Sequence, residues 1–209
     1  GGAPLAADAE QFLRDARFPY AIGYGLTEAS PILSGSPPEK TRISSAGYAL
    51  KGISLRLGKV NESTGEGEIE AYGPNTMQGY YKMPELSAEM FTEDGWLRTG
   101  DLATMDADGY IYIKGRSKNV ILGPSGENIY PEEIESFFFA SPYVLEVLVY
   151  ELGDKLAARV YLDQEKVEAY LAATPESALG DLLESIRLEV NGKVSSFARI
   201  QKIIEQTEP

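Results

Sequence analysis

The chain has 209 residues, with 32 acidic and 19 basic side chains and a formal net charge of −13 at pH 7. This length permits one large domain or two small ones with a buried core, and the negative charge argues against nucleic acid as the main partner. Cysteine and histidine do not occur, which excludes disulfides, thiol nucleophiles, the usual general base and the commonest metal ligand.

The hydropathy of the chain indicates a protein without a transmembrane segment. No apolar run approaches the roughly 20 residues that are needed to span a bilayer. A sequence without cysteine also suits a reducing compartment. We therefore expect a cytoplasmic protein, and peripheral contact with a membrane surface stays open.

The first 41 residues are predicted to form a helix, a strand and a long loop. Apolar residues with helical spacing and early acids predict a short helix over residues 5–16. Residues 19–23 predict a buried strand, and residues 24–28 the loop after it, a place where open α/β sheets bind their substrates. The proline- and serine-rich residues 30–41 predict a loop.

Residues 46–113 predict a compact β unit. Three segments have strand-like composition between glycine turns: residues 54–57, 67–72 and 109–113. Residues 61–65 and 106–109 are typical of hairpin turns. A short helix is predicted over residues 84–90.

After residue 118 the pattern changes to that of a small α+β domain. A helix is predicted over residues 131–140, with a proline in its first turn. Two strands follow, at residues 144–150 and 155–162, on either side of a turn at residues 153–154.

The end of the chain predicts one more helix and one more strand. Thr174 is predicted to cap the helix, with Pro175 at its first position. Five apolar residues then follow helical spacing: Leu179, Leu182, Leu183, Ile186 and Val190. A final strand is predicted over residues 198–204.

The most informative stretch runs over residues 95–135. It contains Asp101, then Arg116 and Lys118, and then the glycine loop at residues 123–126. A buried carboxylate can accept two hydrogen bonds from a ribose diol, and an arginine held nearby can bind a ribose or phosphate oxygen with its rigid donor fork. The stretch therefore predicts a nucleotide site shared between two bodies that are joined at about Lys118.

Five motifs occur in a specific order: GGAPL at 1–5, YGLTE at 24–28, GEGEIEAYGPNTMQGYY at 65–81, RTGD at 98–101 and GRSKN at 115–119. With them the chain resembles the adenylate-forming superfamily of acyl-CoA synthetases, peptide-synthetase adenylation domains and firefly luciferase. Within it, the chain looks most similar to the long-chain fatty acyl-CoA synthetases. One motif alone is a weak match, whereas five in the family's order are specific.

The resemblance implies an α+β fold with three parts: the end of an α/β subdomain, a small distorted β-barrel and an α+β C-terminal lid domain. Residues 1–114 would be the C-terminal part of the large adenylation domain, residues 115–118 the hinge and residues 119–209 a truncated lid. The family carries a phosphate-binding loop upstream of the matching region and a catalytic lysine that we expect beyond Pro209. We therefore expect a C-terminal fragment that is inactive by itself.

Asp101 is the strongest candidate site residue. An aspartate after glycine is equally typical of a turn, but the resemblance implies that this carboxylate binds the ribose hydroxyls. Arg116 matches the nucleotide-binding arginine of the family, and Lys118 matches the hinge. Lys114, Arg116 and Lys118 would also alternate in this way on a solvated strand edge.

Thr27 and Glu28 are the candidate catalytic residues. A threonine-glutamate pair alone is typical of a helix start, whereas the resemblance implies that the threonine hydroxyl contacts the α-phosphate and the glutamate binds Mg²⁺. Tyr24 would stack beside adenine, with a core tyrosine as the alternative. Gly25 belongs to the same nucleotide-binding motif.

Two glycines complete the set of candidates. Gly2 matches a loop that touches adenine in the family, although it lies at a terminus where fraying is expected. Gly126 matches a lid-loop glycine on the side of coenzyme A (CoA), and turn geometry would explain it as well.

The resemblance implies a two-step reaction that uses ATP, Mg²⁺, a fatty acid and CoA. The acid forms acyl-AMP and pyrophosphate, and the CoA thiolate then forms the thioester and releases AMP. Domain alternation about Lys118 would let one site serve both steps. Two alternatives stay open: an acyl-AMP ligase or adenylation domain that delivers to a carrier protein, and a non-catalytic nucleotide-binding module of the same fold.

Overall fold

The computed structural model describes residue 5 and residues 7–207. Within it the chain divides into two compact units, of which the first ends at Lys118 and the second begins at Asn119. The candidate Gly2 lies outside the described residues.

The first unit begins with helix α1 (Ala7–Asp15), as predicted, and continues into a small antiparallel sheet. The sheet has the strand order β1-β2-β3, with β1 at Gly23–Gly25, β2 at Ile32–Gly35 and β3 at Tyr48–Ala49. Its register pairs Tyr24 with Ser34. Tyr24 is therefore placed on a strand with its ring in the apolar core.

Three predictions for this region are wrong. The loop expected at residues 24–28 starts only after Gly25, because Tyr24 and Gly25 belong to β1, and it contains a short 3-10 helix at Thr27–Ala29. The strand expected at residues 19–23 begins only at Gly23, because its partner β2 is four residues long and pairs with residues 23–25 alone. The loop expected at residues 30–41 contains β2 and a short 3-10 helix at Pro38–Lys40. Short elements of this kind give too few residues for a recognisable period.

The second sheet of this unit is antiparallel with the order β4-β5-β6-β7. These strands span Ser54–Gly58, Gly67–Tyr72, Leu97–Met105 and Ile111–Arg116. Helix α2 (Pro84–Glu89) lies in the connection between β5 and β6. Five fully buried apolar side chains form the core of this sheet: Ile69, Ala71, Leu97, Ala103 and Ile111.

The predicted β unit is confirmed in its strands β4 and β5, in α2 and in both hairpin turns. The strand predicted at residues 109–113 begins later, at Ile111, and reaches Arg116. Strand β6, one of the two longest strands described, was not predicted. The four paired strands form an open sheet, and the distorted barrel that the resemblance implies stays an expectation.

The second unit packs helices on a three-stranded sheet, β10-β11-β12. Its elements in chain order are β8 (Ile121–Leu122), β9 (Asn128–Ile129), α3 (Pro131–Phe138), β10 (Val144–Leu152), β11 (Lys155–Leu162), α4 (Gln164–Ala173), α5 (Leu179–Asn191) and β12 (Ile200–Gln206). Strands β10 and β11 are antiparallel, and β11 and β12 are parallel. Phe138, Val160, Ile186 and Ile200 are among the buried residues of a continuous apolar core.

The predicted helix cap at Thr174 is wrong. Thr174 instead ends α4, and its hydroxyl donates to the carbonyl of Tyr170 at 2.7 Å. Helix α5 begins at Leu179, where the Asp181 carboxylate accepts a hydrogen bond from the Ala178 N–H at 2.8 Å. The apolar spacing predicted for this helix is confirmed.

The remaining predictions for the second unit hold with small shifts. Helix α3 and strands β10 and β11 lie where they were expected, and β12 starts two residues later than predicted. The α+β class is therefore confirmed. No helix in the described part of the chain is long and apolar enough to cross a membrane.

Candidate nucleotide site

Three side chains of the first unit meet at Asp101, which lies on β6 and is only 7% exposed. The hydroxyl of Tyr24, from β1, donates to Oδ2 of Asp101 at 2.5 Å. The Nε of Arg116, from β7, lies 3.0 Å from Oδ1. The two oxygens of the carboxylate thus contact Tyr24 and Arg116, and the three groups form the cluster that we call the Asp101 cluster.

The register of the sheet explains why Arg116 reaches Asp101. The two residues are direct partners across β6 and β7. Nη1 of Arg116 also donates to the carbonyl of Thr99 at 3.2 Å, which fixes the plane of the guanidinium. Nη2 has no partner among the described residues, and 55% of the side chain is exposed. This geometry leaves Arg116 with donor capacity for a ligand.

The backbone around Asp101 is fixed by its neighbours in sequence. The Thr99 hydroxyl donates to the carbonyl of Ile69 at 2.8 Å and accepts from the Asp101 N–H at 3.2 Å. Gly100 has a φ of +76°, in the region that favours glycine, and its N–H donates to Glu68 Oε1 at 3.0 Å. These contacts within the chain explain why threonine, glycine and aspartate occur at residues 99–101, even without a bound ligand.

The electrostatics of the cluster keep Tyr24 protonated. Burial, followed by the negative charge of Asp101, raises the pKa of the Tyr24 hydroxyl well above its usual range. The hydroxyl is therefore a hydrogen-bond donor to Asp101 at every physiological pH. The ring of Tyr24 is 8% exposed and packs in the core, which fits the alternative of a core tyrosine; its contact with adenine stays a prediction.

Gly25 has a steric reason to be glycine. A Cβ at this position would lie 1.8 Å from the carbonyl oxygen of Pro31. Any side chain would therefore push β1 away from the start of β2. This close approach explains the residue without a ligand, and its nucleotide-binding role stays a prediction.

Thr27 and Glu28 lie in one turn of 3-10 helix, Thr27–Ala29, that follows β1. Thr27 is the first residue of this turn rather than its cap, and it is exposed. Ser30 ends the turn in the left-handed conformation, with a φ of +50°. The hydroxyl and the carboxylate are thus presented by a tight and irregular loop, which is common at binding sites.

A further residue, Tyr80, contacts Glu28. Its hydroxyl donates to Oε1 of Glu28 at 2.7 Å. The pKa of Tyr80 is raised, mainly by the hydrogen bond to the carboxylate and to a lesser extent by burial. Sequence reasoning missed this residue, because it treated residues 65–81 as one motif and no local pattern marks a contact across 52 residues.

The donor set around Glu28 fits a magnesium ion that is bound together with phosphates. Oε2 of Glu28 makes no hydrogen bond or ion pair within the described part of the chain. No group of three or more His, Cys, Asp or Glu residues that could hold a metal occurs there either. Magnesium bound to a nucleotide uses one or two carboxylates and takes its other ligands from phosphates and water, so one available carboxylate oxygen is sufficient.

The candidates Lys118 and Gly126 lie in turns. Lys118 is exposed and follows β7 as the last residue of the first unit. Gly126 has a φ of +87° in the turn between β8 and β9, where its N–H donates to the carbonyl of Gly123 at 2.9 Å. The glycine loop is therefore a hairpin turn, and β9 lies between it and the helix that begins at Pro131. The hinge and CoA-side roles stay predictions.

The chain is similar to enzymes that activate carboxylic acids. Residues 1–81 match the family of AMP-binding enzymes. A feruloyl-CoA synthase of Amycolatopsis sp is 39% identical over 150 residues, which cover 69% of this chain and 30% of that protein. Long-chain-fatty-acid–CoA ligase 4 of Saccharomyces cerevisiae is 36% identical over 161 residues, which cover 75% and 23%. The chain thus spans less than a third of the length of these curated relatives.

Solved structures agree with this result. O-succinylbenzoate CoA synthetase from Bacillus subtilis, in complex with AMP, matches all of this chain over 41% of its own length, with a TM-score of 0.80 and 27% identity. ATP-bound MatB from Rhodopseudomonas palustris matches with a TM-score of 0.74 and 30% identity, again covering 100% and 41%. The five motifs, the fold and these relatives agree, and the chain belongs to the adenylate-forming superfamily.

Proposed function

We propose that the protein containing this chain is an AMP-forming carboxylic acid–CoA ligase, and that this chain binds the nucleotide. The observation that carries the proposal is the Asp101 cluster: a buried carboxylate, fixed from both sides, beside an arginine with donors to spare. Relatives of the chain include a feruloyl-CoA synthase and a long-chain-fatty-acid–CoA ligase, which supports the same type of reaction here.

In this proposal Asp101 accepts hydrogen bonds from the two ribose hydroxyls. Each carboxylate oxygen can accept about two hydrogen bonds, and the contacts with Tyr24 and Arg116 fix the orientation of the carboxylate. A carboxylate that is already desolvated and oriented needs little reorganisation on binding. Arg116 supplies its remaining donors to a ribose or phosphate oxygen.

The first half-reaction joins the substrate carboxylate to the α-phosphorus of ATP and expels pyrophosphate. The acid is already ionised at pH 7, so this step requires no protein base, in keeping with a chain that has no histidine. In this proposal the Thr27 hydroxyl would contact the α-phosphate, and Glu28 would hold the magnesium. When bound, the metal neutralises charge on the phosphates, while the protein contributes mainly positioning.

In the second half-reaction the CoA sulfur attacks the acyl carbon and AMP leaves. We propose that Gly126 lies on the CoA side and that Lys118 is a hinge whose backbone rotation separates the two half-reactions. Lys118→Pro would fix φ at this position. We expect the rate of CoA-dependent thioester formation to fall about threefold or more while acyl-AMP formation is retained. Equal losses in the two half-reactions, measured separately, would remove the hinge.

The proposed substrate is a long-chain fatty acid. This is supported by long-chain-fatty-acid–CoA ligases that are 33–36% identical to the chain, in yeast and in Mycobacterium bovis. A feruloyl-CoA synthase and a sulfoacetate–CoA ligase are 39% and 42% identical to the chain. Ferulate and sulfoacetate are therefore the alternative substrates that the experiment must include. A cytoplasmic location is part of the proposal and agrees with the lack of cysteine.

Pyrophosphate release by the whole protein tests the proposal. The protein is given ATP, Mg²⁺ and, in turn, fatty acids of increasing length, ferulate and sulfoacetate, with and without CoA. We expect acid-dependent pyrophosphate release and an acyl-CoA product. Release with no thioester product would indicate delivery to a carrier protein, and no release with any acid would indicate a non-catalytic nucleotide-binding module.

A further inference from the structure

Among the described residues, Tyr80 is the one side chain that is hydrogen-bonded to the Glu28 carboxylate. The bond joins the phenol oxygen to Oε1 at 2.7 Å, and Oε2 is left without a partner within the described residues. Tyr80 is also one of the residues that line an open pocket of about 600 Å³. The phenol is therefore not a tightly packed core group, and its hydroxyl has one specific partner.

The backbone of Tyr80 is fixed from the side of α2. Its N–H donates to Oγ of Ser87 at 2.8 Å, and Ser87 in turn donates to the carbonyl of Met83 at 2.6 Å. Gly79 makes this approach possible, because a Cβ there would lie 2.9 Å from Oγ of Ser87. Gly79 also has a φ of +146°. The hydroxyl of Tyr80 thus extends from a rigid support.

The backbone of Glu28 is fixed by the same segment. The N–H of Met77 donates to the carbonyl of Glu28 at 2.7 Å. The side-chain amide of Asn75 donates to the carbonyl of Ala29 at 2.6 Å and to that of Ile32 at 3.0 Å. These bonds hold the turn but leave the rotatable bonds of the Glu28 side chain unrestrained. Within the described part of the chain, the bond from Tyr80 is the only one to the carboxylate itself.

We infer that Tyr80 is a positioning residue: it holds Oε1 of Glu28 in place so that Oε2 is available to the metal of the nucleotide. This inference rests on the proposed function, in which Glu28 binds Mg²⁺. A glutamate whose rotamer is already set loses less conformational entropy when it binds.

The test compares Tyr80→Phe with Tyr81→Phe in the whole protein. Tyr81 is 85% exposed and donates no hydrogen bond to a described residue, so it is a matched control. Binding of Mn²⁺ in the presence of ATP is followed by electron paramagnetic resonance. We expect the dissociation constant of Mn²⁺ to rise about threefold to tenfold in Tyr80→Phe, with a matching rise in the KM for MgATP and a smaller change in kcat. Tyr81→Phe should match the wild type.

A second readout separates positioning from a general loss of structure. The affinity for AMP without metal depends on the Asp101 cluster, and it should be equal in the wild type and in Tyr80→Phe. Ser87→Ala removes the support of the Tyr80 backbone and should shift Mn²⁺ binding in the same direction by a smaller factor. If Tyr80→Phe does not fold, Mn²⁺ binding by Ser87→Ala is compared with that of the wild type instead. Equal binding by these two proteins would then overturn the inference.

Each failure has a distinct signature. Wild-type protein that binds no Mn²⁺ with ATP would overturn the proposed function and the inference together. Normal Mn²⁺ binding by the wild type and unchanged binding by Tyr80→Phe would overturn the inference alone. Equal losses of Mn²⁺ and AMP affinity in Tyr80→Phe would show a structural role and would also overturn it.

Discussion

The two units of the chain differ in what they bury. Six polar or charged side chains are buried in the described residues of the first unit: Glu10, Ser34, Ser45, Glu70, Thr99 and Asp101. In the described residues of the second unit only Ser141 is, and the core is otherwise apolar. The first unit is therefore built to hold polar groups in fixed places, and the second derives its stability from apolar packing.

The buried carboxylates of the first unit show how this is achieved. Glu10 accepts from the hydroxyl of Tyr20 at 2.8 Å and from the N–H of Ser44 at 2.8 Å. Glu70 lies 2.6 Å from Nε of Arg56. Burying a charge without such partners is costly, whereas a paired and hydrogen-bonded charge is tolerated. Asp101 follows the same rule, but its arginine is half exposed, which makes the pair accessible to a ligand.

The largest effect is expected from a substitution that removes part of the apolar core of the second unit. Phe138 on α3 is fully buried, and Phe138→Ala should lower the free energy of unfolding of this unit by about 3–5 kcal/mol, through lost burial and the cavity that remains. Urea unfolding measures it. Phe139→Ala is the control, because Phe139 is 53% exposed and should change stability by about 0.5 kcal/mol. Similar losses in the two variants would contradict the assignment of the core.

The next effect tests the Asp101 cluster. Asp101→Ala removes the carboxylate and leaves the Tyr24 hydroxyl buried without this partner. We expect kcat/KM for ATP in the whole protein to fall about tenfold to a hundredfold, because a hydrogen bond to a charged group contributes about 1.5–3 kcal/mol. Asp108→Ala is the control, since Asp108 is a surface carboxylate with a 66% exposed side chain. An unchanged kcat/KM in Asp101→Ala would remove the ribose contact.

A smaller effect is expected from removing the buried hydroxyl of Tyr24 in the first unit, and this effect should depend on pH. Tyr24→Phe removes the hydroxyl that donates to Asp101 and should lower the free energy of unfolding at neutral pH by about 1.5 kcal/mol. The folded-state pKa of Tyr24 is raised, so the uncharged hydroxyl contributes stability that is fully present below the unfolded pKa of about 10. This stability is lost as the pH rises above that value.

The measurement is urea unfolding of the wild type and of Tyr24→Phe between pH 7 and pH 11. The difference in stability between the two should be constant up to about pH 9 and then shrink, because only the wild type can ionise this group on unfolding. A difference that stays constant up to pH 11 would show that the Tyr24 hydroxyl is not held in an environment that opposes its ionisation.

The sequence predicts those helices and strands whose apolar pattern can be recognised within a single segment of the chain. Helices α1, α3 and α5 and strands β4, β5, β10 and β11 have clear apolar periods, and all were predicted. Strand β6 also alternates, with Leu97, Thr99, Asp101 and Ala103 buried. Two of these four are polar, so the period of burial does not appear as a period of hydrophobicity. Thr99 and Asp101 belong to the candidate site, and because they are polar, the apolar alternation that would identify β6 as a strand is missing from the sequence.

The candidate site shows the same limit. The motifs located Asp101 and Arg116, which are cross-strand partners. The partners from distant segments were beyond sequence reasoning: Tyr24 reaches Asp101 across 77 residues, and Tyr80 reaches Glu28 across 52. Helix α4 was missed as well, although Val167, Tyr170 and Leu171 follow helical spacing and pack in the apolar core of the second unit.

The smallest effect concerns two glycines of the second unit that have the same geometry. Gly126 and Gly153 both occupy hairpin turns with positive φ, +87° and +64°, and a Cβ on either would meet nothing within 4 Å. Gly126→Ala and Gly153→Ala should therefore each lower the free energy of unfolding by about 1 kcal/mol, from backbone strain alone. Because the structural cost is matched, any further difference between the two variants reports on function. If Gly126 lies on the CoA side, Gly126→Ala alone should raise the KM for CoA in the whole protein. If the KM for CoA changes equally in both variants or in neither, turn geometry is the full explanation of this glycine.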